Sequence, residues 1–170
     1  MTLLTRGLVV AALHVAIVSS LGAKLLVDRS TRPRVWALTA PVDPNLPIRG
    51  RYVQLRLVVD APDLAGQPCA PGRTPVALEA QGDRLVARPL ELDPGFRREL
   101  RASRIATRTG CATIVTTPLA YFIPDRIPDP SIRAAGEELW VEVTLPRKGP
   151  PRPIRLGVKR DGVLSPLEIE

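Results

Sequence analysis

The stretch Pro41–Asp60, PVDPNLPIRGRYVQLRLVVD, constrains the chain most. Its first half carries Pro41, Pro44 and Pro47, so the backbone is largely pre-set and cannot be helix. Its second half, Arg51–Asp60, alternates. Val53, Leu55, Leu57 and Val59 fall on one face, and Tyr52, Gln54 and Arg56 on the other. A period of two over this length predicts a half-buried β-strand entered through a stiff turn.

The rest of the chain is punctuated in the same way. Among 170 residues there are 19 Pro and 12 Gly, which suits many short strands joined by tight turns. Strands are expected at Val35–Thr39, at Ala112–Thr117 beside Cys111, at Tyr121–Ile123 and at Leu139–Leu145. Pro75–Ala80 and Leu85–Leu92 read as a hairpin around Gln81-Gly82-Asp83, with Pro89 placing its second strand at a sheet edge. Ile154–Arg160 and Val163–Ile169 flank Asp161-Gly162, a two-residue hairpin signal. Phe96–Ser103 reads as a short helix or a loop, and Pro128–Gly136 as a connector in which Ser131 caps one helical turn. The sum is an all-β fold, a sandwich or open barrel of about seven to nine short strands.

That domain follows an apolar run. Gly7–Ala23 contains no charge, and Lys24–Val27 extends it, because a lysine can snorkel. A bilayer core takes about 20 apolar residues. Residues 1–27 are therefore expected to form one N-terminal transmembrane helix, with a cleaved signal peptide as the competing reading, since Ser20, Gly22 and Ala23 are small. Residues 28–34 then form a polar linker, and 35–170 the β domain. His14, within the apolar run, is the only histidine. The domain beyond it thus lacks the means for Ser-His-Asp or Cys-His catalysis and for His-ligated metal sites. No metal or other cofactor is expected.

Several residues in and beyond Pro41–Asp60 resemble a known group. Pro41-Val42-Asp43-Pro44 followed by Arg49-Gly50-Arg51-Tyr52-Val53-Gln54-Leu55-Arg56-Leu57 is similar to the signature of the GDYXXLXY proteins. The likeness continues at Tyr121-Phe122-Ile123-Pro124-Asp125 and at the C-terminal Asp-Gly hairpin. Gly50, Tyr52 and Leu55 match the named motif, whereas Arg51 stands where it has an acid and Leu57 where it has its last tyrosine. The resemblance implies a bacterial inner-membrane protein, single-pass, with its C-terminal domain in the periplasm. The expected role is non-catalytic: a partner- or envelope-binding accessory module beside another envelope membrane protein. Any role that needs a carboxylate at position 51 is not carried over; what survives is a scaffold in which Leu55 and Leu57 pack inward and Tyr52 covers the other face.

Charge is ambiguous on topology. Lys24, Arg29, Arg32 and Arg34 follow the apolar run and only Arg6 precedes it, so charge counting alone would leave the domain in the cytoplasm. The resemblance and the cysteine pair favour export. In an exported domain Cys69 and Cys111 are expected to form a disulfide, the alternative being two unrelated buried residues. Net charge is +7, and lysine occurs only at Lys24, Lys148 and Lys159, so arginine dominates. Arg147, Lys148, Arg152, Arg155, Lys159 and Arg160 form a run without an acid. It suits either contact with anionic headgroups or strand edges kept from pairing by charge. Membrane lipid is the expected partner of the helix. Nucleic acid is not expected: aromatics are only 4% and no binding motif is present. An enzymatic alternative, a degenerate signal-peptidase-like site, would need Ser30 as nucleophile with Lys148 or Lys159 as base. A purely structural accessory subunit is the other alternative.

Overall fold

A computed structural model describes residues 3–42, 52–90, 100–107, 110–124, 126–146 and 149–169. The chain divides into two compact units, Met1–Arg32 and Pro33–Glu170. The first is one helix, α1 (Leu3–Thr31). It is long and apolar enough to cross a membrane, and Leu8, Leu13, Val18 and Leu26 along it are exposed. At 1.5 Å per residue, the apolar part from Gly7 to Val27 spans about 31 Å, close to the thickness of a hydrocarbon core. Its polar side chains bond back to the helix itself: His14 Nδ1 lies 2.8 Å from the Val10 carbonyl and Ser20 Oγ donates to Ile17. The expected linker at 28–34 is not separate. The helix continues to Thr31, where Ser30 and Thr31 hydroxyls both donate to the Val27 carbonyl. It stops where Pro33 disfavours helical backbone at the residue before it.

Among the described residues the second unit has ten antiparallel strands: β1 (Arg34–Pro41), β2 (Tyr52–Val59), β3 (Thr74–Gln81), β4 (Arg84–Pro89), β5 (Leu100–Thr107), β6 (Gly110–Val115), β7 (Leu119–Phe122), β8 (Glu137–Thr144), β9 (Arg152–Arg160) and β10 (Val163–Pro166). They run in the order β10-β9-β8-β1-β2-β6-β5-β3-β4, with β7 also on β2. The tenth strand is β5, in part of the segment expected as a short helix or a loop. Its alternation is written in small residues: Ala102 faces the core, and Ser103 accepts the Gly72 N–H. The Pro128–Gly136 connector has no helical turn. Asp129, not Ser131, does the capping, with its Oδ1 accepting from both the N–H and the hydroxyl of Ser131.

β2 is the central strand. Leu55 and Leu57 are 1% and 0% exposed, and Val53 and Val59 are buried beside them in a single core. One edge of β2 pairs with β1. The other pairs with β7 over Tyr52–Leu55 and with β6 at Val58 and Val59. β6 and β7 thus act as one partner interrupted at Thr116–Pro118, where two extra residues form a bulge. β1 itself changes partner. Arg34–Leu38 pair with β8 and Thr39–Pro41 with β2. At the changeover the Thr39 hydroxyl donates to the Leu139 carbonyl, 2.8 Å away, in place of a ladder bond.

The far end of the sheet curls round. Asp60, just past β2, donates to Leu85 and accepts from Ala87 through its backbone, so edge strand β4 closes toward β2. The short 3-10 turn Pro62–Leu64 then tucks Leu64 into the core. The β9–β10 turn is as expected: Asp161 and Gly162 have φ of 51° and 82°, the left-handed pair that a type I′ hairpin requires.

Candidate functional site

Of the positions carrying the family resemblance, Gly50 and Arg51 lie outside the described residues. Leu55 is core. Tyr52 is half-buried on the outer face, its ring 6.1 Å from that of Phe122, which sits directly opposite it on β7. Phe122 is 73% exposed. The pair forms an aromatic spot on a strand that makes no second strand pairing among the described residues. The sequence places Phe122 in an expected strand, Tyr121–Ile123, but its position opposite Tyr52 comes from the pairing of β7 with β2.

The basic run is not a uniform patch. Arg147 and Lys148 lie outside the described residues. Arg155 Nε donates to Glu142 at 2.7 Å, and its guanidinium lies 5.3 Å from the centre of the Trp36 ring. The Lys159 ammonium lies 4.9 Å from the Trp140 ring, whose indole N–H donates to Glu138. Arg160 is bonded to Glu137, and Arg133 approaches the same carboxylate at 3.9 Å. Arg152 is exposed, and its carbonyl accepts from Thr144 Oγ1. The acids are missing from the run because they sit on β8, in register with it: Glu142 opposite Arg155, Glu138 opposite Lys159, Glu137 opposite Arg160. β10 covers β9 over Gly157–Arg160, so Lys159 and Arg160 guard no open edge, whereas Arg152 and Arg155 lie where β8 is the one strand partner among the described residues. Glu142 is only 7% exposed, so its contact with Arg155 is largely shielded from water. The Arg160 hydrogen bond, followed by the charges of Arg160 and Arg133, holds the Glu137 carboxyl below its ordinary value. The same contact raises Arg160.

Cys69 and Cys111 are bonded, with their Cα atoms 5.8 Å apart. The bond and Arg104, which donates to the carbonyls of Ala65 and Gln67, tie the loop after β2 to β5 and β6. A groove of about 600 Å³ opens beside this tie, with the Arg84–Asp60 ion pair in its wall. A second, of about 560 Å³, lies beside Arg56. Ser30 donates to its own helix and the Lys159 ammonium lies over the Trp140 ring. No group of three His, Cys, Asp or Glu is arranged to hold a metal ion among the described residues.

Together these features define a mostly β protein with an N-terminal helix able to span a membrane. No family model, curated protein or solved structure matches the chain.

Proposed function

We propose that the chain is a single-pass protein of a bacterial inner membrane. Its β domain would stand in the periplasm, as the likeness to the GDYXXLXY group implies, and act, without catalysis, as a binding module for another envelope membrane protein. The observation that carries this reading is the combination, in one chain, of an exposed apolar helix and a disulfide-tied β unit. Such a bond persists in oxidising compartments and is rare in the bacterial cytosol. Membrane contact is assigned to the helix rather than to β9, whose described cations other than Arg152 are engaged with acids or indoles. The Tyr52–Phe122 spot is the surface assigned to the partner, because exposed aromatics supply interface energy at low entropic cost.

A reporter enzyme that works only outside the cytoplasm, fused after Glu170, is expected to be active; inactivity would overturn the export reading. Purification of the full chain in detergent is expected to bring down a stoichiometric membrane partner, lost on Phe122→Ser. Recovery of the protein alone, or turnover by it, would count against a binding module.

A further inference from the structure

Arg56 shares a buried, unmatched Nε–H with Arg133 but, unlike Arg133, has no acid partner among the described residues. It projects from the outer face of β2 at the point where the β6–β7 partner carries its two extra residues, so no residue of that ladder stands directly opposite. Bulges of this kind re-aim side chains and recur beside binding sites. The Arg56 Nε–H is buried and meets no acceptor. A buried cationic donor left unmatched is costly, and an anion bound to the rest of the same guanidinium would offset that cost. The groove that opens here is lined by Arg56, Arg73, Ser103, Ile105, Ile114 and Thr116, with Pro71 and Gly72 at its margin. No carboxylate lines it, and neither Arg56 nor Arg73 has an acid partner among the described residues. Ser103 Oγ accepts the Gly72 N–H at 3.2 Å, which leaves its own O–H to donate outward. The Thr116 hydroxyl is turned to the Arg101 carbonyl and buttresses the wall.

The groove therefore presents two guanidinium groups on separate elements, one hydroxyl donor and an isoleucine floor. A single arginine fork satisfies a planar carboxylate; donors from three separate residues suit the three oxygens of a tetrahedral phosphoryl group. We propose that this groove binds a phosphoryl group, its oxygens taken by Arg56, Arg73 and Ser103, and an attached apolar portion lying on Ile105 and Ile114. The phosphoryl group comes either from a soluble phosphate ester or from a phospholipid headgroup. The site does not depend on which side of the membrane the domain occupies, so it stands or falls apart from the topology reading.

The test uses the full chain in a neutral maltoside detergent. Phenyl phosphate is the soluble probe and short-chain phosphatidylglycerol the lipid probe, both followed by titration calorimetry. Saturable binding of one molecule per chain is expected from at least one probe. Preference for the first identifies a soluble ester, and preference for the second a headgroup. Arg56→Gln and Arg73→Gln are each expected to weaken binding about tenfold or more, and Arg56→Lys to restore only part of it. Arg73 is exposed, so Arg73→Gln still reads the site if the Arg56 variant fails to fold. Absence of binding by both probes, affinity unchanged in the Arg73 variant, or equal affinity for benzoate would each overturn the proposal.

Discussion

Trp36 packs closely against a residue with no side chain, Gly157. A Cβ built on Gly157 would stand 2.9 Å from Cζ3 and 3.0 Å from Cη2 of that indole, and 3.1 Å from the Ser165 carbonyl oxygen. The backbone oxygen cannot retreat cheaply, and the indole is held from outside by Arg155. Gly157→Ala is therefore expected to displace Trp36 and destabilise the β domain by about 1–3 kcal/mol, as overpacking does. Both tryptophans, Trp36 and Trp140, belong to the β unit, so their emission during urea unfolding reports on it alone. An unchanged midpoint and emission maximum would refute the close packing. The burial of Leu55 and Leu57 was readable from alternation, because a strand's own period decides which side chains share a face. The need for glycine at position 157 was not, because Trp36 comes from a distant part of the chain.

Strands β8 and β9 hold each other by charge as well as by backbone. Glu137 titrates below the ordinary glutamate value of about 4.3, chiefly through its hydrogen bond to Arg160. In the unfolded chain that contact is gone and the carboxyl returns to the ordinary value. The unfolded state then binds more protons between the two values. The contribution of Glu137 is thus complete above the ordinary value and is lost as pH falls through the lowered one. Glu137→Gln is expected to cost stability near neutrality and nothing at the acid end, so urea midpoints of the two proteins should converge as pH falls through the lowered value. Parallel curves would mean that the pair contributes nothing. At this scale hairpins were the most legible elements, since Asp161-Gly162 and Gly82-Asp83 carry their turn chemistry locally. β5 was the least legible. Its inward residue Ala102 is small and its arginines suggest a solvated helix; pairing with β3 and β6 makes it a strand.

The β domain as a whole is closed covalently as well as by packing. Cys69 and Cys111 are 42 residues apart in sequence, and the loop they close spans β3, β4 and β5. On the chain-entropy account such a cross-link stabilises by about 4 kcal/mol. The double variant Cys69→Ser with Cys111→Ser is expected to lower the urea midpoint accordingly, while the helical signal of α1, a separate unit, persists. A midpoint equal to that of the parent chain would show that the core alone sets stability. The sequence alone determined that there is an apolar helix, that a β-rich body follows, and that β2 is buried along one face. These follow from composition, a two-residue period and turn residues, all short-range. Only the tertiary structure decided that β1 leaves β8 for β2, that β4 closes toward Asp60, that three acids on β8 answer the cations of β9, and that a bulge leaves the Arg56 N–H unmatched. Those outcomes are matters of register between strands far apart in the chain, and no local pattern records which distant residue will stand opposite.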